Sequence, residues 1–150
     1  MCTGVRFADA AGNLYFGRNL DWCESYGEGV VITPRGASIP TQFLGSLSPE
    51  HACVGMGIVV GGVPCYFDCA NEAGLAIAGL NFPGYAQFAE APEKGAVNVA
   101  AYEFPLWVAA SFSTVAEVRK ALKDVVIVAK APSEGYGVAQ LHWLVGDGKE

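Results

Sequence analysis

Charge is scarce in this chain. Asp, Glu, Lys and Arg make up 16% of its 150 residues, against a usual share of roughly 25%. That excludes a disordered, highly charged tail and a long solvated helix. Histidine occurs only at His51 and His142. The five cysteines (Cys2, Cys23, Cys53, Cys65 and Cys69) contain no CxxC pair, and neither histidine is near Cys65 or Cys69 in sequence. A zinc site is therefore not expected, and no metal is assigned. With an odd cysteine count and no export signal, free thiols in a reducing cytoplasm are the simple expectation. The net charge of −6 comes without a basic cluster, so nucleic acid is not expected as a partner. No run reaches the ~18 apolar residues of a membrane span.

What is present is apolar and rich in turns. Hydrophobic residues are 52% of the chain and glycines number 19, well above glycine's usual ~7%. The length suits one domain with a real core. Residues 2–7 and 14–21 read as two strands around a turn at 9–13, which would anchor a chain end that otherwise frays. Further strands are expected at 29–33, 53–60, 64–69 and 75–81, with 36–51 irregular. Short turns between them point to an antiparallel sheet. The pattern then changes: 98–111 is apolar at near-helical spacing, with Pro105 expected to kink or break it. Thr114 and Glu117 form a capping-box signature that opens a helix to about Lys123. Strands are expected at 124–129 and 138–145, and residues 146–150 read as a hairpin turn whose second strand is missing. Strands followed by helices and more strands give an α+β class.

Cys2 carries the most specific chemistry. If Met1 is removed, Cys2 bears a thiol and a free α-amine on adjacent carbons. Their ordinary pKa values, ~8.5 and ~7.7–8.0, let the amine take the thiol proton, which makes a nucleophile with its own base. Arg18 sits in an apolar strand, where a guanidinium is costly without a partner. Asp21 follows it; strand alternation would put the two on opposite faces, unless the strand ends or bulges near Asn19. Asn81 closes the strand 75–81, and its amide could donate to an oxyanion. Asp68 and Glu72 read as turn residues, and His142 as a packed strand histidine.

Met1-Cys2-Thr3-Gly4, FGRNLDW at 16–22, NEAGLAIAGLNFPGY at 71–85, FPLWVAASFSTVAEVRKAL at 104–122 and LHWLVGDG at 141–148, in that order, resemble the choloylglycine hydrolases. These are the bile salt hydrolases of the N-terminal-nucleophile hydrolase group. The resemblance spans all 150 residues and about the first half of such an enzyme. It implies a four-layer αββα sandwich, here present in part, in a cytoplasmic homotetramer that needs no cofactor. It implies Cys2 as nucleophile, with Arg18 and Asp21 beside it and Asn81 in the oxyanion hole. The substrate would be a conjugated bile salt cleaved through a thioester, its steroid held by Leu20, Trp22, Val60 and Phe67. Penicillin V or N-acyl homoserine lactone acylase chemistry is the alternative on the same site. A non-catalytic binder of steroid acids is the alternative from another class. An asparagine and an arginine of the family's site belong to its second half, so residues 1–150 alone are expected to be inactive and poorly soluble.

Overall fold

The computed structural model describes residues 2–150; Met1, whose removal would free the Cys2 amine, lies outside the described residues. The chain runs through β1 (Thr3–Ala8), β2 (Leu14–Asn19), β3 (Gly29–Thr33), β4 (Ile39–Thr41) and β5 (Gly45–Leu47). It continues through β6 (Cys53–Val60), β7 (Val63–Asn71), β8 (Ala76–Asn81) and β9 (Val97–Ala100). Helices α1 (Phe104–Ser111) and α2 (Val115–Ala121) follow, then β10 (Val125–Val128) and β11 (Leu141–Gly146).

β1 and β2 form an antiparallel hairpin from Thr3↔Asn19 to Ala8↔Leu14. Its turn is built by Asp9, whose Oδ1 accepts the N–H groups of Ala11 and Asn13 at 2.9 Å each. Gly12 supplies the positive φ, at 85°, that the turn requires. At the other end the Thr3 N–H donates to Asn19 Oδ1 at 2.6 Å, which ties down the start of the chain beside Cys2. β2 stops at Asn19 rather than reaching residue 21, so strand alternation no longer relates Arg18 to Asp21.

The main sheet is antiparallel, in the order β11-β8-β7-β6-β3. Helix α1 packs on β7 and β8. It is apolar all round, with Phe104 to Ala110 buried, the pattern of a helix enclosed by core on every side. The expected helix over 98–111 divides instead into strand β9 and helix α1. Pro105 does not kink that helix but starts it, in the first turn, where its missing N–H would have had no partner. β9 pairs in parallel with β10, and α1 and α2 lie between them in sequence. The Thr114–Glu117 capping box forms as expected. The span 36–51, expected to be irregular, contains the hairpin β4–β5. β11 begins at Leu141, three residues later than expected, and the chain then turns back, the Asp147 N–H donating to Glu150 O at 2.7 Å. Asp147 also accepts the Val115 N–H at 2.8 Å through Oδ2 and the Lys149 and Glu150 N–H groups at 2.6 and 2.9 Å through Oδ1. It thus caps the first turn of α2 from outside the helix.

Asn71 joins sheet to helix. Its Nδ2 donates to Ala109 O and Phe112 O at 2.8 and 2.7 Å, and its Oδ1 accepts from Ala73 and Leu75 at 3.0 Å each. All the bonding capacity of a buried amide is used, as burial demands. The opposite edge of the sheet is open. Val30 and Ile32 are each 71% exposed, and their cross-strand partners Met56 and Val54 are exposed too.

β6 and β7 change register once. Met56 pairs with Asp68 and Gly57 with Tyr66, so Phe67 is an extra residue on β7, a β-bulge. Glycine permits it: a Cβ on Gly57 would lie 2.5 Å from Cys65 O, and one on Gly55 would overlap the Asp68 carbonyl.

Candidate active site

A cavity of about 460 Å³ opens where the β1–β2 hairpin meets the end of β8, within the usual size range of ligand pockets. Cys2, Arg18 and Asn81 all line it, as do Leu20, Trp22 and Phe67. Three distant parts of the chain therefore converge through the hairpin and β8. Asp21 is exposed and lies between two lining residues without lining the cavity itself. Val60 closes β6 at the hairpin turn, half-buried and outside the cavity; Ile58, two residues earlier on the same face, lines it instead.

Arg18 is held more tightly than its sequence context suggested. Its side chain is 6% exposed, with Nε 3.3 Å from Asp68 Oδ2. Nη2 donates to Gly79 O at 2.8 Å and to Phe67 O at 3.3 Å. The β7–β8 ladder ends at Asp68↔Ala78, so these carbonyls lie just beyond its last pair, beside the bulge. Asp68 is thus a strand residue paired with Arg18 rather than a turn residue. Glu72 does sit in a turn, where Arg35 and the Ala52 N–H hold its carboxyl down at about 2. His142 lies in β11 but is exposed, its ring edge-on to Phe82 with centroids 4.6 Å apart.

The apolar wall is aromatic. Tyr26 stacks on Trp22 at 6.4 Å, meets Phe67 edge-on at 6.0 Å and touches Tyr136 at 6.2 Å. Tyr26 and Tyr136 come from two loops far apart in sequence, and neither carried a local pattern that marked it as a wall residue. Five free cysteines are present among the described residues, and burial separates them. It pushes the Cys65 and Cys53 thiols up to about 11 and raises Cys69 well above its ordinary value. Such thiols stay protonated and inert at neutral pH. Cys65 also lines the cavity, so of the two thiols there Cys2 is the half-exposed one. Among the described residues no cluster of three or more His, Cys, Asp or Glu could hold a metal ion, and no helix is long and apolar enough to cross a membrane.

Residues 2–150 match the family model for linear amide C–N hydrolases, choloylglycine hydrolase family. The chain is 53% identical over 150 residues to a conjugated bile acid hydrolase of Lactobacillus gasseri, covering 100% of this chain and 48% of that protein. It is 55% identical over 150 residues to a bile salt hydrolase/transferase of Bifidobacterium longum subsp. longum, covering 99% and 47%. The crystal structure of the C2A mutant of a conjugated bile acid hydrolase from Clostridium perfringens superposes with a TM-score of 0.92 at 36% identity, covering 99% of this chain and 45% of that one. A penicillin V acylase from Agrobacterium tumefaciens, at 19% identity and a TM-score of 0.74 over 99% of this chain and 44% of that one, shares the fold. The mixed, mostly stranded architecture is that of the N-terminal-nucleophile hydrolases. Within that class, the chain belongs to the choloylglycine hydrolase family. It spans about half the length of the curated relatives it matches.

Proposed function

We propose that this chain is the N-terminal portion of a bile salt hydrolase, which cleaves the amide joining a steroid acid to glycine or taurine. The observation that carries this reading is the convergence of Cys2, Arg18 and Asn81 on one aromatic-walled cavity. The 53–55% identity to bile acid hydrolases supports it. With Met1 removed, the α-amine of Cys2 takes the thiol proton and the thiolate attacks the amide carbonyl. The tetrahedral oxyanion is held by the Asn81 amide and a backbone N–H. The amine proton passes to the leaving glycine or taurine nitrogen as the C–N bond breaks, leaving a thioester on Cys2. Water, deprotonated by the same amine, then releases the bile acid and restores the thiol. Asp21 orients the ammonium, and Arg18 favours the thiolate. Leu20, Trp22 and Phe67 receive the steroid.

We place the complete protein in the cytoplasm as a homotetramer with a four-layer αββα sandwich. Two measures support a missing layer. A compact monomer of 15.7 kDa exposes roughly 7,300 Å², whereas this chain exposes 8279 Å². The exposed Val30 and Ile32 of β3 and Val54, Met56 and Val59 of β6 are side chains such a layer would cover. The test is release of glycine or taurine from conjugated bile salts by a protein of its relatives' full length, with penicillin V as the competing substrate. Rapid release from bile salts supports the reading. Faster turnover of penicillin V, or a retained Met1 on a protein inert to both, overturns it. Residues 1–150 alone should release nothing.

A further inference from the structure

We propose that Asp68 is a positioning residue: through its ion pair it fixes the Arg18 guanidinium, and through Arg18 it sets the rate of the step at Cys2. The inference rests on the amide-hydrolase reading above, and it concerns how that site is held rather than what it cleaves.

The Arg18 guanidinium is almost fully buried and carries five N–H donors in a rigid fork. Nη2 spends its donors on two neutral carbonyls, Phe67 O and Gly79 O. Those carbonyls orient the fork but cannot balance its charge. Asp68 Oδ2, 3.3 Å from Nε, is the anion that does. Nε lacks an aligned hydrogen bond despite that proximity, and Nη1 is buried with no partner at all. Buried cationic N–H groups left unpaired are costly; with Nε beside Asp68, Nη1 is the donor free of any counter-ion and open to a thiolate or a substrate oxygen.

The position of Asp68 argues that it acts at one remove. It does not line the cavity that Cys2 lines. It lines a second cleft, of about 550 Å³, together with Phe16, Val54 and Met56, and Arg18 borders both. Arg18 thus stands between the two clefts, with Asp68 lining one and Cys2 the other. The bulge makes this arrangement possible. The single extra residue, Phe67, breaks the register between β6 and β7 next to Asp68. The same residue lends its carbonyl to Arg18 and lines the reacting cavity.

The experiment uses the protein at its relatives' full length. Asp68→Asn keeps the shape and removes the charge. The expected result is a kcat lower by about tenfold or more with KM within about twofold, the signature of a group misaligned in the transition state. In an Arg18→Leu background the same substitution should change kcat by less than about twofold, because its effect runs through Arg18. Asp68→Glu, which keeps the charge but displaces it by one methylene, should fold even if Asp68→Asn does not, and should still lower kcat by about threefold or more. Labelling of Cys2 by iodoacetamide at neutral pH, read by peptide mass spectrometry, needs no turnover. Asp68→Asn, or Asp68→Glu in its place, should slow it by about threefold or more while leaving Cys23 unchanged. Parental kcat and parental labelling in the folded variants would overturn the proposal, as would a loss of melting temperature with no change in either rate. A parent that hydrolyses no bile salt but shows the labelling effect would overturn the substrate reading and leave the role of Asp68 standing.

Discussion

The main sheet carries two regions that are stabilised by different means. Under α1, the side chains of Leu75, Ile77, Leu106 and Val108 are fully buried, and the fully satisfied Asn71 ties the sheet to the helix among them. Around the cavity, Cys2 is half-exposed, Leu20, Trp22 and Tyr26 are exposed, and the polar groups are held by individual bonds to Asn19, Phe67, Gly79 and Asp68. The first region resists change because every removed methylene leaves a void. The second tolerates solvent and keeps its geometry through a few directed contacts. Packing is concentrated on one side of the molecule and the candidate site on the other.

Substitutions can sharpen or break that division. The largest expected effect is at Cys2. Cys2→Ala should abolish bile salt cleavage in the full-length protein while leaving its melting temperature within a few degrees, because a half-exposed side chain contributes little packing. Replacing Cys23, Cys53, Cys65 and Cys69 together should preserve turnover in whatever fraction folds. On the other side, Leu106→Ala should cost about 2–5 kcal/mol in denaturant unfolding and leave kcat per folded molecule unchanged. A fall in kcat there would mean that the two regions are coupled. Asn81→Ala should reverse that pattern, lowering kcat by roughly 10²-fold with unfolding unchanged. If kcat/KM stays within about threefold of the parent, the oxyanion is held elsewhere.

The smallest effect tests a titratable group within the packed side. Glu103, 1% exposed, accepts the Gln42 N–H at 2.8 Å, yet burial raises its pKa above the ordinary 4.5. A raised carboxyl favours the fold while it is protonated. Its contribution is therefore complete below pH 4.5 and falls away as pH rises through the higher folded value. Glu103→Gln keeps the acceptor and removes that penalty. It should raise the melting temperature by a few degrees at neutral pH, for a gain of about 1 kcal/mol, and by progressively less toward pH 4. An unchanged difference across that range would show that burial does not shift the Glu103 carboxyl away from its unfolded value.

The sheet strands were readable because apolar runs bounded by Gly and Asn-Glu-Ala-Gly turns leave few alternatives, and α2 because Thr114 and Glu117 satisfy each other locally. Helix α1 was half-read. A helix buried on all sides has no amphipathic period, so nothing in residues 98–111 separated a strand from a helix until the parallel pairing of β9 with β10 divided them. The local pattern singled out Cys2, Arg18 and Asn81 as separate candidates, and the ordered motifs joined them to a family. Asp68 read as a turn residue because its role depends on a register shift of one residue between β6 and β7, and a shift of that kind belongs to the pairing of two strands rather than to either one. The aromatic wall is of the same kind: Tyr26 and Tyr136 meet only because two loops fold over one cavity. Order along the chain determined the strands, the candidate nucleophile and the family. Contacts between segments far apart decided which charge holds Arg18 and which rings enclose the site, since a local sequence does not encode what will be packed against it.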